Sequence, residues 1–254
     1  MGGFASRWAF LCAVPLLWPA FWKKNPTALV FCGERGSLVM YHFFAMLSRM
    51  KYINRWGLMR NTRSENICEH SLEVALVAHA LALIGNKKFS RGYNPERAAM
   101  LAVLHDAPEI ITGDMPTPVK YHSPEIRSAY AEVESLAVDH LVSMLPEEFR
   151  PEYEELMKMD GEQDEELERL VKAADKISAV IKCVEEKKSG NREFTQAEQT
   201  ITRNIAEMNL PEADYFMKEF LPSYSLTIEE QDYTREAGLK FSESSQMVFS
   251  KVLK

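Results

Sequence analysis

The chain has 254 residues, 46% of them apolar, with a formal net charge of −7 and a pI near 5.5. That size and apolar content suit one large domain, or one domain with extensions. The acidic balance excludes a surface that coats a nucleic-acid polymer, although cations local to a site could still hold a small phosphate ester.

Residues 1–39 do not match the rest. Trp8 to Trp22 is apolar but interrupted by Pro15 and Pro19, with Arg7 before it and Lys23-Lys24 after it. A signal peptide, a weak membrane anchor and an extension outside the folded domain are the three readings. The third is preferred, because helical periodicity begins only after Met40, and no stable membrane insertion is expected. The expected organisation is therefore an extension over 1–39, a domain over 40–230 and a tail over 231–254.

From Tyr41 the pattern is helical almost throughout. Phe43, Phe44, Leu47 and Met50 form one apolar face. A helix is expected over Asn66–Ile84, with Leu72, Leu76, His79 or Ala80, and Leu83 as its buried stripe and Gly85-Asn86 as its stop. The next is expected over 94–107, with Asn94 as N-cap and Pro95 at the first helical position. It delivers His105 and Asp106 side by side, and Pro108 disfavours helical dihedrals at Ala107. Residues 112–118 read as a loop by their Gly and Pro content. Long amphipathic helices are expected over 124–145 and 164–186, and shorter ones over 147–159, 194–208 and 211–220. From Pro222 the chain reads as a wrapping or frayed tail. No run alternates with period two between turn signals, so the fold class is all-α.

The four cysteines, Cys12, Cys32, Cys68 and Cys183, lack CxxC spacing. They read as free thiols in a reducing compartment, and a cytoplasmic location is expected. No internal repeat, dinucleotide fingerprint, phosphate-binding loop or GxSxG occurs.

Four residues of metal-ligand type lie in or beside apolar helices: His70, His105, Asp106 and Asp175. Singly, each has an ordinary reading. His70 could be a satisfied core histidine, the His105-Asp106 pair could be closed by local hydrogen bonds, and Asp175 could pair with Lys172 or Lys176 in solvent. A buried Asp needs a partner or a metal, and an Asp at the negative end of a helix is relieved by a bound cation. Two imidazoles and two carboxylates without thiolates suit Mn²⁺, Co²⁺ or Fe²⁺, with Co²⁺ or Mn²⁺ preferred, and Mg²⁺ less. Such an ion makes water a usable nucleophile near neutral pH and polarises a phosphoryl oxygen. Arg55 offers a planar, permanently charged fork to a phosphate, and its ordinary reading is an exposed helix-end charge.

The order H…HD…D on successive helices resembles the HD-domain family of metal-dependent phosphohydrolases. A longer match is carried by His42-Phe43-Phe44-Ala45, Ile53-Asn54-Arg55-Trp56, Leu58-Met59-Arg60-Asn61, Glu65-Asn66, Glu69-His70-Ser71-Leu72, His105-Asp106-Ala107-x-Glu109, Thr112-Gly113-Asp114-x-Pro116-Thr117-Pro118 and Asp214-Tyr215-Phe216-Met217. These resemble the YfbR-like 5'-deoxynucleotidases from about residue 40 to about 230. The resemblance implies an HD-domain helical bundle, a homodimer, one divalent cation, and hydrolysis of deoxyribonucleoside 5'-monophosphates. It also implies His70, His105, Asp106 and Asp175 as ion ligands and Glu109 as the catalytic carboxylate, with Arg55 orienting the phosphate. Trp56 would wall the sugar or base, and Asp114, Met115, Pro116 and Thr117 would contact the nucleotide. His70, Asp106 and Asp175 would serve ion and substrate together. Met115 and Pro108 depart from the family's pattern without removing a functional group. The rivals are an HD hydrolase of a nucleoside triphosphate or guanosine tetraphosphate, which would want more basic residues than Lys120, and a nucleotide-binding regulator, which would not need Glu109.

Overall fold

The computed structural model describes residues 40–232, apart from Tyr121, Gln163 and the side chains of Thr117 and Asp232. The expected extension over 1–39 and nearly all of the 231–254 tail lie outside the described residues. Within them the helices are α1 (Phe43–Leu47), α2 (Ile67–Lys88), α3 (Pro95–Leu104), α4 (Glu109–Thr112), α5 (Thr117–Lys120), α6 (Pro124–Ser143), α7 (Arg150–Lys158), α8 (Asp164–Lys188), α9 (Thr195–Glu207), α10 (Pro211–Glu219) and α11 (Ile228–Asp232). Among the described residues the sole extended pairing is an isolated antiparallel bridge between Asn54 and Asn66.

The main core forms where α2, α3 and α8 meet, closed by α9 and α10. A second core joins Phe43, Leu104 and Ala107 to Val138, Leu141 and Leu145, under α1, α6 and α7. α8 buries the stripe expected of it, from Leu167 through Leu170, Val171, Ala174 and Ser178 to Ile181. Burying each of its large aliphatic side chains contributes roughly 1.5–3 kcal/mol.

α2 corrects the sequence reading in two ways. Its core face is His70, Ser71, Val74, Ala78, Leu81 and Ala82, whereas Leu72 and Leu76 are 62% and 65% exposed. Small residues on the inner face admit α3 and α8 closely, so the largest apolar residues do not mark the core side. By length and composition α2 could cross a membrane, but more than half of its most apolar window is buried within the domain. The helix also runs through Gly85 and Asn86 to Lys88. A Cβ at Gly85 would lie 2.6 Å from the Tyr93 ring, and Asn86 accepts from the Tyr93 N–H at 2.9 Å. Gly85-Asn86 is thus a docking point for the α2–α3 loop, not a stop.

On α6 the core side is Tyr130, Ala137 and Leu141, while Val133 and Leu136 face out. Phe44 is likewise exposed beside buried Phe43 and Met50. α3 stops at Leu104, three residues earlier than expected. Pro108 forces tight turns there: the Ala107 N–H donates to Leu104 O and the Glu109 N–H to Asp106 O, each at 3.0 Å.

Candidate metal centre

The Asn66 side chain caps α2 by accepting from the N–H groups of Cys68 and Glu69, both at 3.0 Å. That cap sets the phase of the first turn and buries His70 completely. The Asn54–Asn66 bridge brings the preceding segment alongside, with the Arg55 N–H on Glu65 O and the Ile67 N–H on Ile53 O, each at 2.9 Å. Buried Glu186 on α8 anchors the same segment, accepting from the Thr62 N–H at 2.9 Å and the Thr62 hydroxyl at 2.7 Å.

Trp56 sits in the left-handed region, at φ 61°, a conformation that costs a non-glycine residue of order 1–3 kcal/mol. Its surroundings enforce it. The indole N–H donates to Glu65 Oε2 at 2.7 Å, and its ring meets Phe194 edge-on at 5.3 Å. Arg55, the residue before it, turns inward: Nη1 donates to Glu65 Oε2 at 3.3 Å and stands 2.6 Å from His70 Nδ1, with Nη2 3.7 Å from Asp175 Oδ1. Burial works against the charge on Arg55, but Glu65, Asp175, Asp106 and Asp114 outweigh it and hold the guanidinium protonated.

His70, His105 and Asp106 each offer a ligand atom within 4.8 Å of one another. His70 Nε2 lies 3.1 Å from Asp175 Oδ1 and 3.5 Å from Asp106 Oδ2, and His105 Nε2 lies 3.2 Å from Asp106 Oδ2. Asp175, expected beside apolar neighbours, keeps a side chain 39% exposed and points to His70 and Arg55. The His105 Nδ1–H donates to Ala102 O at 2.7 Å, and a carbonyl can only accept. The neutral ring therefore carries its proton on Nδ1 and leaves the Nε2 lone pair open. Both Nε2 atoms are buried without a hydrogen-bond partner. Two orphaned nitrogens facing carboxylates are what a divalent ion would satisfy.

The charges agree. Burial and Arg55 push His70 below its ordinary value, so it is a neutral donor at neutral pH. Burial opposes charge on His105, yet Asp106 and Asp175 lift it to about 9. Burial also opposes charge on Asp106 and Asp175, and the neighbouring imidazoles, with Arg55 at Asp175, still hold both below the usual carboxylate range.

Glu109 opens α4, off the helix that carries His105. Burial, then Asp106 and Asp114, push its carboxyl up to about 9, against Arg55 and Lys120. Its Oε2 is buried and unpartnered. A cleft of about 410 Å³ opens here, lined by His105, Asp106, Glu109, Lys120, Lys172 and Asp175. That is room for a small phosphate ester. Arg55 and Trp56 lie outside its walls; Arg55 meets the cluster through His70 and Asp175, and Trp56 through the Glu65 carboxylate that it shares with Arg55. Asp114 follows Gly113, whose φ of 74° turns the loop. Burial raises its pKa, opposed by Arg55 and by a hydrogen bond with the Trp56 backbone. Met115 and Pro116 continue the loop, half-buried, and Thr117 opens α5. Three participants carried no assigned role in the sequence: Glu65, which clamps Arg55 and Trp56, and Ser178 with Glu73 behind His70. Ser178 lies three residues after Asp175 on the same helix, and that spacing was its available signal.

The chain matches the family model described as 5'-deoxynucleotidase YfbR-like over residues 42–224. It belongs to the YfbR-like 5'-deoxynucleotidase family. Relatives described as 5'-deoxynucleotidases in Yersinia pestis and Yersinia pseudotuberculosis are 51% identical over 191 residues, 75% of this chain and 96% of theirs. A solved HD-domain phosphohydrolase from Listeria innocua is similar at TM-score 0.62 and 26% identity, covering 72% of this chain and 88% of that one. The cyanophage S-2L HD phosphohydrolase, solved bound to dA and one catalytic Zn²⁺ ion, shares the fold at TM-score 0.52 and 22% identity over 72% of this chain and 96% of that one. The YfbR-like chain is thus an all-α HD-domain phosphohydrolase, and its activity is that of a 5'-deoxynucleotidase.

Proposed function

We propose that this YfbR-like chain holds one divalent ion between His70, His105, Asp106 and Asp175 and uses it to hydrolyse deoxyribonucleoside 5'-monophosphates to deoxyribonucleosides and phosphate. The observation that carries the reading is the pair of buried, unpartnered Nε2 atoms beside two ionised carboxylates. Bound there, the ion supplies Lewis acidity toward a phosphoryl oxygen and makes water a usable nucleophile near neutral pH. Co²⁺ or Mn²⁺ suits the mixed nitrogen and oxygen donors.

The chain's own residues do the rest. Arg55, pre-set by Glu65, turns its fork to the phosphate and neutralises charge that spreads over the equatorial oxygens. With the cluster loaded, Glu109 gives up the proton it carries in the metal-free chain, so its carboxylate can hold the attacking water and take its proton on Oε2. Trp56 walls the nucleoside, and the loop from Asp114 through Met115 and Pro116 to Thr117 meets the sugar. A homodimer is supported by the outward Leu72, Leu76 and Leu83 on α2, which form an apolar row on one helix face. A cytoplasmic enzyme without stable membrane insertion is supported by the free thiols Cys68 and Cys183 and by the share of α2 given to the core.

The test is release of phosphate or pyrophosphate from a panel of nucleoside mono-, di- and triphosphates and guanosine tetraphosphate with Co²⁺ or Mn²⁺ added. Deoxyribonucleoside 5'-monophosphates should be the substrates, and a preference for triphosphates or for guanosine tetraphosphate overturns the assignment.

A further inference from the structure

We propose that Ser178, backed by Glu73, is the acceptor that fixes the His70 imidazole with its proton on Nδ1, so that Nε2 is offered to a divalent ion. The inference rests on the reading of His70 as an ion ligand. For His105 the same requirement is met by the Ala102 carbonyl. His70 has no carbonyl in that position. Its Nδ1 has two close neighbours, Arg55 Nη1 at 2.6 Å and Ser178 Oγ at 3.1 Å. A guanidinium only donates, while a hydroxyl also accepts. Glu65 Oε1, at 4.0 Å, is beyond hydrogen-bond reach. The Ser178 hydroxyl spends its own proton on Glu73 Oε2, at 2.5 Å, which leaves its lone pairs for the ring.

Two arrangements of the ring are therefore available. With Nδ1 bare, it accepts from Arg55, and the proton sits on Nε2, where it would block an ion. With Nδ1 protonated, it donates to Ser178, and Arg55 Nη1, which can only donate, must withdraw from its 2.6 Å contact with the ring while keeping Glu65. The tautomer that admits an ion is also the one that frees the guanidinium for a phosphate. His70 and Glu73 are three residues apart on α2, and Asp175 and Ser178 three apart on α8, so the chain of bonds spans the two main core helices. Ser178 and Glu73 are positioning residues, acting through His70.

The test uses the full chain stripped of metal and titrated with Zn²⁺ by calorimetry. Burial lifts the Glu73 carboxyl to about 7, with Glu65 and Glu185 adding to it and the Ser178 bond and Arg55 opposing, so the titration is run at about pH 8, where it is ionised. Ser178→Ala and Glu73→Ala should each weaken Zn²⁺ binding by about 10- to 100-fold, with the metal-free proteins melting near wild type. Glu73→Gln, whose amide oxygen still accepts from Ser178, should recover most of the loss. Nitrogen-15 spectra of the Zn²⁺-loaded wild type should show His70 protonated on Nδ1. Wild-type affinity in Ser178→Ala and Glu73→Ala, or a His70 proton on Nε2 in the loaded protein, overturns this inference alone. A wild-type chain that binds no Zn²⁺ overturns the metal-centre reading and this inference with it.

Discussion

Glu109→Gln should make the metal-free protein more stable while disabling the enzyme. The carboxyl is raised from 4.5 to about 9 in the folded chain. A raised folded value means that the folded state binds the proton more tightly than the unfolded chain does. The resulting stability is fully present below the unfolded value near 4.5 and is lost as pH rises toward 9. At about pH 8 the wild type must hold a proton that the unfolded chain has already released. Each unit of that gap is worth about 1.4 kcal/mol, so the neutral isostere should gain on the order of 2–4 kcal/mol once coupling to Asp106 and Asp114 is allowed for. For a chain this size that is roughly 5–15 °C in Tm. Melting curves of both proteins in chelator at about pH 5 and pH 8 check it: the advantage of the Gln variant should appear only at the higher pH.

The same substitution removes the general base. Turnover of a deoxynucleoside monophosphate at saturating Co²⁺ should fall by about 10²- to 10⁴-fold, with nucleotide and metal affinity retained. Equal stability at both pH values would refute the buried, unpartnered carboxyl, and unchanged turnover would refute its role toward water. Loss of metal would make Glu109 a ligand.

Three further outcomes are expected. Asp106→Ala should abolish turnover and lower metal content with helicity intact, checked by metal analysis and circular dichroism. Arg55→Ala should lose roughly one to two decades in kcat/KM, the worth of a charge-assisted fork of about 1.5–3 kcal/mol, and Arg55→Lys should restore it only in part, because an ammonium lacks the bidentate geometry. Gly85→Ala should destabilise the fold by about 1–3 kcal/mol in urea with activity per folded molecule unchanged, because its Cβ would meet the Tyr93 ring at 2.6 Å.

The helices were legible because their start signals are local. Asn66, Asn94 and Ser123 each cap a helix with a side chain that accepts from the first turn. Their buried faces were less so. On α8 a polar, charged background leaves one apolar stripe, and the pattern names the core directly. On α2 every residue from Val74 to Ile84 except His79 is apolar, periodicity has little contrast there, and which side turns inward is decided by the close approach of α3 and α8 to Ala75, Ala78 and Ala82. The site divides the same way. His70, His105, Asp106 and Asp175 stand out as polar residues in apolar surroundings. Glu65 lies in a polar stretch where one carboxylate looks like any other, and only the Asn54–Asn66 bridge brings it against Arg55 and Trp56.

The cluster gathers Asp106, Asp175, Glu109, Asp114 and Glu65 around one guanidinium and two imidazoles. Without an ion, the folded chain offsets that charge by taking up protons. Glu109 is held near 9 and Asp114 is raised, both by burial first and then by neighbouring carboxylates, while those carboxylates lift His105 to about 9 against its burial. A divalent cation in the cluster does the same electrostatic work, so loading it must drive protons out. At about pH 8, His105 and Glu109 both hold most of a proton in the metal-free chain, and release of one to two protons per ion is expected. Calorimetry of Co²⁺ binding in two buffers of different ionisation enthalpy measures that number as the slope of apparent enthalpy against buffer enthalpy. The slope should shrink as the pH is raised above 9, where both groups have already lost their protons in the metal-free chain. A slope of zero at about pH 8 would mean that the ion enters a site already deprotonated, and the raised values of Glu109 and His105 would then not belong to the folded chain.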